Sequence, residues 1–224
     1  EIAEGKDKME FQKIDMDTWN RKETFWHYWK QVPCSYSVTA ELDVTSLQKT
    51  VVHEKLKFYP VMLYLLTRLV NSREEFRMAV DAEEMPGFWK ELSPCYTVFH
   101  PETETFSCLW SKYKENFSDF YREYENDMAT YGTRKEFFPK SGAPSNLLNI
   151  SMLPWIHFTA FELELHRERN FLLPIFTLGK WIRRGGAETM SVSVRVHHAA
   201  CDGFHVARLF EELQKEADSF ACCL

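Results

Sequence analysis

The segment that most constrains the fold lies near the carboxyl end. After a turn at Gly185-Gly186, Met190, Val192, Val194, Val196 and His198 fall on one side of an alternating run, and Ser191, Ser193, Arg195 and His197 on the other. Side chains of an extended chain point to opposite faces in turn, so this run predicts a strand with one face on a core. Beyond it, Phe204, Ala207, Phe210, Leu213, Ala217 and Phe220 recur every three or four residues and predict an amphipathic closing helix. A second strict alternation from Cys34 to Val44 predicts another strand. Thr45 with Gln48 three residues later fits a capping box opening a helix to about Lys57. Pro60 suits a first helical turn, and Val61 to Val70 is apolar on nearly every face, as a central helix would be. Further strands are expected at 105–111, 149–153, 157–163 and 175–178, and a helix from Phe117 to Tyr131. Interleaved strands and helices predict an α/β (α+β) two-layer sandwich. Some connections are too short for parallel crossovers, so its sheet should be mixed and flanked by helices.

Composition narrows the function. With 45% hydrophobic and 27% charged residues, the chain can build a core and is not a disordered polymer. Its 27 basic and 33 acidic residues leave a net charge of −6, which gives no pull toward nucleic acid or anionic lipid. The longest apolar run, Val61 to Leu66, is too short to span a membrane. Six cysteines without a CxxC pair read as reduced thiols of a cytoplasmic protein. No repeat or linker divides the chain: residues 9–220 read as one domain, with 1–8 and 221–224 as tails.

Reactive groups concentrate in residues 196–205, Val-His-His-Ala-Ala-Cys-Asp-Gly-Phe-His. By the alternation, His198 continues the apolar face, where a neutral imidazole can accept a proton. Asp202 lies just past the strand end, where a cation would fix its carboxylate. Taken alone, a strand-end histidine is more often structural than catalytic. His198, Cys201 and His205 are also three zinc-type donors at short spacing, but no second ligand cluster supports a metal site.

The run His197 to Asp202-Gly203 is HHxxxDG, the signature of CoA- or carrier-dependent acyltransferases. Extended to Arg208 (HHAACDGFHVAR), it resembles the chloramphenicol acetyltransferase family. Segments in the same order carry the likeness over about residues 9–220: Trp19-Asn20-Arg21-Lys22-Glu23, Pro33-Cys34, Lys57-Phe58-Tyr59-Pro60-Val61, Thr97 to His100 with Glu102 to Ser107, Asn149-Ile150-Ser151 with Leu153-Pro154-Trp155, and Pro174-Ile175. The resemblance implies the CoA-dependent acyltransferase fold, assembled as a homotrimer with active sites at subunit interfaces. It implies acetyl-CoA as cosubstrate, chloramphenicol as acceptor and no metal. His198 would be the general base for the 3-hydroxyl, Ser151 the oxyanion donor, Arg21 the partner of Asp202, and Thr177 the holder of a water. Tyr28, Cys34, Phe106, Phe138, Leu163 and Ile175 would line the antibiotic pocket, and Trp155, Lys180 and Trp181 would touch CoA.

Three positions depart from the family pattern: Ala200 in place of the usual valine, His27 beside Tyr28, and Cys108 where a small residue is common. An acyltransferase for another hydroxyl or thiol acceptor, or a protein that sequesters a ligand without turnover, are the rival readings.

Overall fold

A computed structural model describes residues 11–165 and 171–224. In chain order the elements are β1 (Phe11–Lys13), α1 (Lys22–Trp26) running into a π-turn (His27–Gln31), β2 (Ser35–Asp43), α2 (Thr45–His53), α3 (Phe58–Asn71), β3 (Met78–Val80) and β4 (Pro86–Trp89). They continue with β5 (Ser93–His100), β6 (Thr105–Trp110), α4 (Phe117–Tyr131), β7 (Leu147–Leu153), β8 (Ile175–Arg184), β9 (Ala187–His197), α5 (Gly203–Ser219) and a closing 3-10 turn (Phe220–Cys223). Six strands form one mixed sheet in the order β2-β9-β8-β7-β5-β6, and β1-β4-β3 form a small second sheet. In the large sheet β7 pairs parallel with β5 and β8, while the β2–β9, β8–β9 and β5–β6 pairs are antiparallel.

The two faces of the large sheet differ in chemistry. One row across it reads Leu109, Tyr96, Ile150, Phe176, Val194, Val38. The first five are buried, in one core with the apolar sides of α2 to α5, including Leu47, Leu65, Phe120 and Leu209. Because successive residues point to opposite faces, the neighbouring row lies on the other side. There Ser151 pairs with Thr177, Thr177 with Ser193, and Ser193 with Thr39. Four strands thus present a line of hydroxyls away from the helices.

The structure departs from the sequence expectations at definite places. Residues 157–163 are not a strand; they cross the hydroxyl-bearing face, held by side chains instead of a ladder. Ser191 Oγ donates to Phe158 O, Ser193 Oγ donates to Phe161 O at 2.9 Å, and Phe161 N–H donates to Thr39 Oγ1 at 3.2 Å. The Thr45–Gln48 capping box does not form, because Thr45 Oγ1 accepts instead from the backbone N–H of Glu188 at 2.8 Å. Pro60 does lie in the first turn of α3, as its third residue. β8 extends to Arg184 because a bulge between Leu178 and Trp181 breaks the simple alternation. The last residues are not a loose end: the turn Phe220–Cys223 buries Phe220, and Arg68 Nη1 donates to Cys223 Sγ at 3.3 Å.

Candidate active site: two half-sites on one chain

The first half-site is built where β9 gives way to α5. The His198 N–H donates to Cys34 O at 3.0 Å, and the amides of Ala200 and Cys201 fold back onto His197 O, both at 3.0 Å. The His198 ring is sandwiched between tyrosines. Tyr28 stacks on it at 3.8 Å with 9° between planes, and Tyr36 meets it edge-on at 5.4 Å. Its Nδ1 is enclosed and lies 3.4 Å from Asp202 Oδ1, with an alignment too poor for a hydrogen bond. Nε2 is therefore the ring nitrogen left for a substrate. His197 is buried at 1% exposure, accepts from the Ala199 N–H at 3.1 Å and packs against Trp29.

Arg21, at the mouth of α1, reaches across 181 positions to grip both carboxylate oxygens of Asp202, and its Nη2 also reaches Ala199 O at 3.5 Å. Burial pushes the Asp202 carboxyl upward, but the Arg21 hydrogen bond and charge outweigh it and hold the group below its usual range. Asp202 N–H donates to His205 Nδ1 at 2.9 Å, which ties the first turn of α5 to its cap. Burial, reinforced by Arg21, lowers the pKa of His205, so this acceptor nitrogen stays unprotonated near neutrality. Burial raises the thiols of Cys34 and Cys201, so neither is a thiolate nucleophile at neutral pH.

The second half-site lies on the hydroxyl-bearing face. The Ser151 hydroxyl is 3.2 Å from Thr177 Oγ1 and opens into a mainly apolar pocket of about 400 Å³ with Thr97, Phe99, Phe106 and Trp155. An aromatic wall surrounds it: Phe99 meets Trp155 at 4.6 Å, and Phe106 meets Phe137, which in turn meets Phe138. The segment bearing Phe137 and Phe138 is stapled to the outer edge of β6. Ser107 Oγ donates to Arg134 O, Cys108 N–H to Phe137 O, and Lys140 Nζ to Trp110 O.

The expected residues therefore divide. Tyr28 and Cys34 stand with His198, and Leu163 shares a cavity with Cys34 and Tyr36; Phe106 and Phe138 stand with Ser151 and Thr177. Ile175 sits between the groups, paired with Asn149 and Arg195. Trp155 lines the Ser151 pocket, and Lys180 N–H donates to Ile156 O beside it, with Trp181 next along β8. Ser151 is two strands from β9 and level with Ser193, four residues short of His197. Strand spacing and rise then put Ser151 and His197 roughly 16 Å apart within one chain, with His198 one residue farther still. The three zinc-type donors do not converge: Cys201 is buried, and His205 Nδ1 is occupied by the Asp202 amide. Among the described residues no three His, Cys, Asp or Glu side chains are grouped to hold a metal.

Comparison with known proteins gives the family of the chain. The chloramphenicol acetyltransferase family profile matches residues 9–214. The chain belongs to the chloramphenicol acetyltransferase family. Among its relatives, chloramphenicol acetyltransferases of Clostridium perfringens and Vibrio anguillarum are 42% and 45% identical, over 95% and 92% of this chain and 97% and 94% of theirs. A solved chloramphenicol acetyltransferase superimposes with a TM-score of 0.81 at 22% identity, covering 92% of this chain and 98% of its own. The dihydrolipoamide acetyltransferase of Azotobacter vinelandii shares the fold at a TM-score of 0.67, 17% identity, and 90% and 88% coverage. Membership makes the chain an acetyl-CoA-dependent acetyltransferase.

Several neighbours of this acetyltransferase's key groups escape sequence reasoning. Tyr36 is visible in the sequence as one apolar-face position of β2, with nothing to mark its contact with His198. Thr97 and Phe99 lie on a strand whose pattern is hidden, and His205 stands out in the sequence only as a zinc-type donor, not as the acceptor for the Asp202 amide.

Proposed function

We propose that this chain transfers the acetyl group of acetyl-CoA to the 3-hydroxyl of chloramphenicol, inactivating the antibiotic. We further infer that it acts as a homotrimer in which His198 of one copy faces the Ser151 pocket of the next. The observation that carries this reading is the separation of the two half-sites. A base with no oxyanion donor in reach and a donor with no base are each incomplete, and a neighbouring copy supplies what each lacks.

In this arrangement His198 Nε2 takes the proton of the hydroxyl as its oxygen attacks the thioester carbonyl. The carbonyl π electrons move onto oxygen, and Ser151, kept in place by Thr177, donates a hydrogen bond to the oxyanion. Collapse re-forms the carbonyl and expels CoA sulfur, which recovers the proton from His198. Protonated Cys34 and Cys201 fit direct transfer without an acyl-enzyme. Arg21 and Asp202 hold the turn that aims the imidazole. Trp155, Lys180 and Trp181 offer flat surfaces and a cation to CoA, while Tyr28, Cys34, Phe106, Phe138, Leu163 and Ile175 enclose the antibiotic. In the Azotobacter enzyme a serine, a histidine and an asparagine four residues beyond it have been investigated for catalytic roles, a spacing that matches His198 and Asp202. Six unpaired thiols and dependence on acetyl-CoA suit a cytoplasmic enzyme.

Release of CoA thiol on mixing acetyl-CoA, chloramphenicol and protein tests the reaction; no release above the rate with water ends it. A panel of other alcohols and of dithiols separates the rival acceptors. Co-expressing His198→Ala and Ser151→Ala copies tests the shared site. Random pairing makes about a quarter of the sites carry both groups, so activity returns on mixing two nearly inactive proteins. Mixed assemblies as inactive as their parents would place both groups in one chain's site.

A further inference from the structure

The reaction uses His198, Ser151 and the Arg21–Asp202 pair, but leaves unexplained a second arginine close to the base. Arg195, on β9, is 4% exposed on the face that carries Ser193 and Thr177. Its Nη2 donates to Ser35 Oγ at 3.0 Å, while Nε and Nη1 have no acceptor among the described residues. Among the described residues no carboxylate is ion-paired with it, and burial weakens its hold on the proton. Enclosing a guanidinium with two unsatisfied nitrogens is costly, and such groups are normally paired. The side chain lines a cavity of about 390 Å³ with Cys34, Tyr36 and Leu163, which borders His198 through Tyr36 and Cys34.

We propose that Arg195 is a specificity-determining residue whose guanidinium donates to a neutral group with two coplanar oxygens on the acceptor, the aryl nitro group of chloramphenicol. The inference rests on His198 as the base. Three residues of strand separate Arg195 from His198, about 10 Å, comparable with the span of an aryl propanediol from its primary alcohol to its para substituent. Ile175, paired with Arg195 in the sheet, and Leu163 supply the apolar flanks for the ring between these points. Glu162 and Glu164 line the same cavity and oppose a fully charged carboxylate at that position. The forked guanidinium, rotating slightly to bring its free nitrogens round, meets two acceptor oxygens at once.

The test is a ratio of equilibrium affinities measured on the purified assembly, for chloramphenicol against the analogue whose phenyl ring is unsubstituted. Wild type should prefer the nitro compound about tenfold, and Arg195→Met should reduce the preference to near unity, with Arg195→Lys intermediate. The preference should persist in His198→Ala, so loss of the base and loss of the subsite are read separately. Equal affinities in wild type overturn the proposal whether or not Arg195→Met folds. So does an undiminished ratio in Arg195→Met. Dissociation of the Arg195→Met assembly with its ratio intact would assign the guanidinium to a neighbouring copy instead.

Discussion

At the scale of single residues, the unusual feature is how many groups are committed to holding one turn. Asp202 is gripped by Arg21 through its side chain and by His205 through its backbone. Asp202→Asn keeps the shape and removes the charge that balances Arg21. For a pair about one-third exposed, a cost of about 1–2 kcal/mol is expected, seen as a melting point lower by ~3–6 °C together with reduced turnover. His205 gives a sharper test. Its pKa is lowered on folding, so on acidification below its unfolded value of about 6.5 the unfolded chain takes up the proton first, and stability falls until the folded pKa is passed. Protonation also removes the acceptor for the Asp202 amide. His205→Gln, a natural partner in a capping box, should retain activity and flatten that part of the stability–pH curve, whereas His205→Ala should lower stability by ~1 kcal/mol at pH 7. Thermal melts of the three proteins between pH 5 and 8 decide it, and identical slopes would refute the account. Replacing His198 by alanine should cost ~10²–10⁴ in rate and Ser151 ~10²–10³, read by thiol release. The motif made His198, Asp202 and Arg21 legible in the sequence. Their surroundings were not, because the stacking of Tyr28 and Tyr36 on His198 is made by a turn and a strand more than 160 positions away.

At the scale of elements, legibility followed the chemistry of each face. β2, β6, α4, β7 and α5 were readable because each buries one side. β5 was hidden because Phe99 occupies its polar-facing row, where it walls the Ser151 pocket: an apolar residue placed for a ligand erases the alternation that would announce a strand. The 157–163 segment misled because its apolar and β-branched residues suit a short strand, whereas in the structure it bonds to the hydroxyls beneath it. The segment carrying Phe137 and Phe138 is held to β6 by hydrogen bonds and, at its far end, by one buried ion pair. Lys140 Nζ lies 2.7 Å from Asp127 Oδ1 and 3.9 Å from the centre of the Trp110 ring, and Asp127 Oδ2 accepts from Ser111, whose oxygen meets Tyr96 OH at 2.8 Å. Lys140→Met strands the Asp127 charge and should cost ~3–5 kcal/mol. Adding Asp127→Leu should restore most of that stability in denaturant titration. A single variant as stable as wild type would show that the pair does not anchor the segment.

At the scale of the whole molecule, the sheet is a platform with one side committed to its own helices and the other, in the proposed function, to chemistry completed by a second copy. Activity should therefore track assembly. On serial dilution, specific activity is expected to drop in step with the loss of trimer seen by analytical ultracentrifugation, and monomers with full activity would refute the shared site. The family resemblance implied sites at subunit interfaces, but the distance between His198 and Ser151 within one chain could not be read from the linear order of residues, because it depends on which strand neighbours which.

The position of β2 at the border of that platform has a consequence for the newly made chain. At Asp43 the amide and carbonyl are both engaged by Gln214 of α5, which imitates an adjoining strand for one residue. Along most of the remaining length to Ser35, the outward main-chain groups have no ladder partner among the described residues. Such a margin invites sticking to any extended peptide. In the proposed trimer, rapid assembly would serve quality control as well as catalysis, and a cell producing this enzyme quickly would meet its greatest precipitation hazard in the interval before copies find one another.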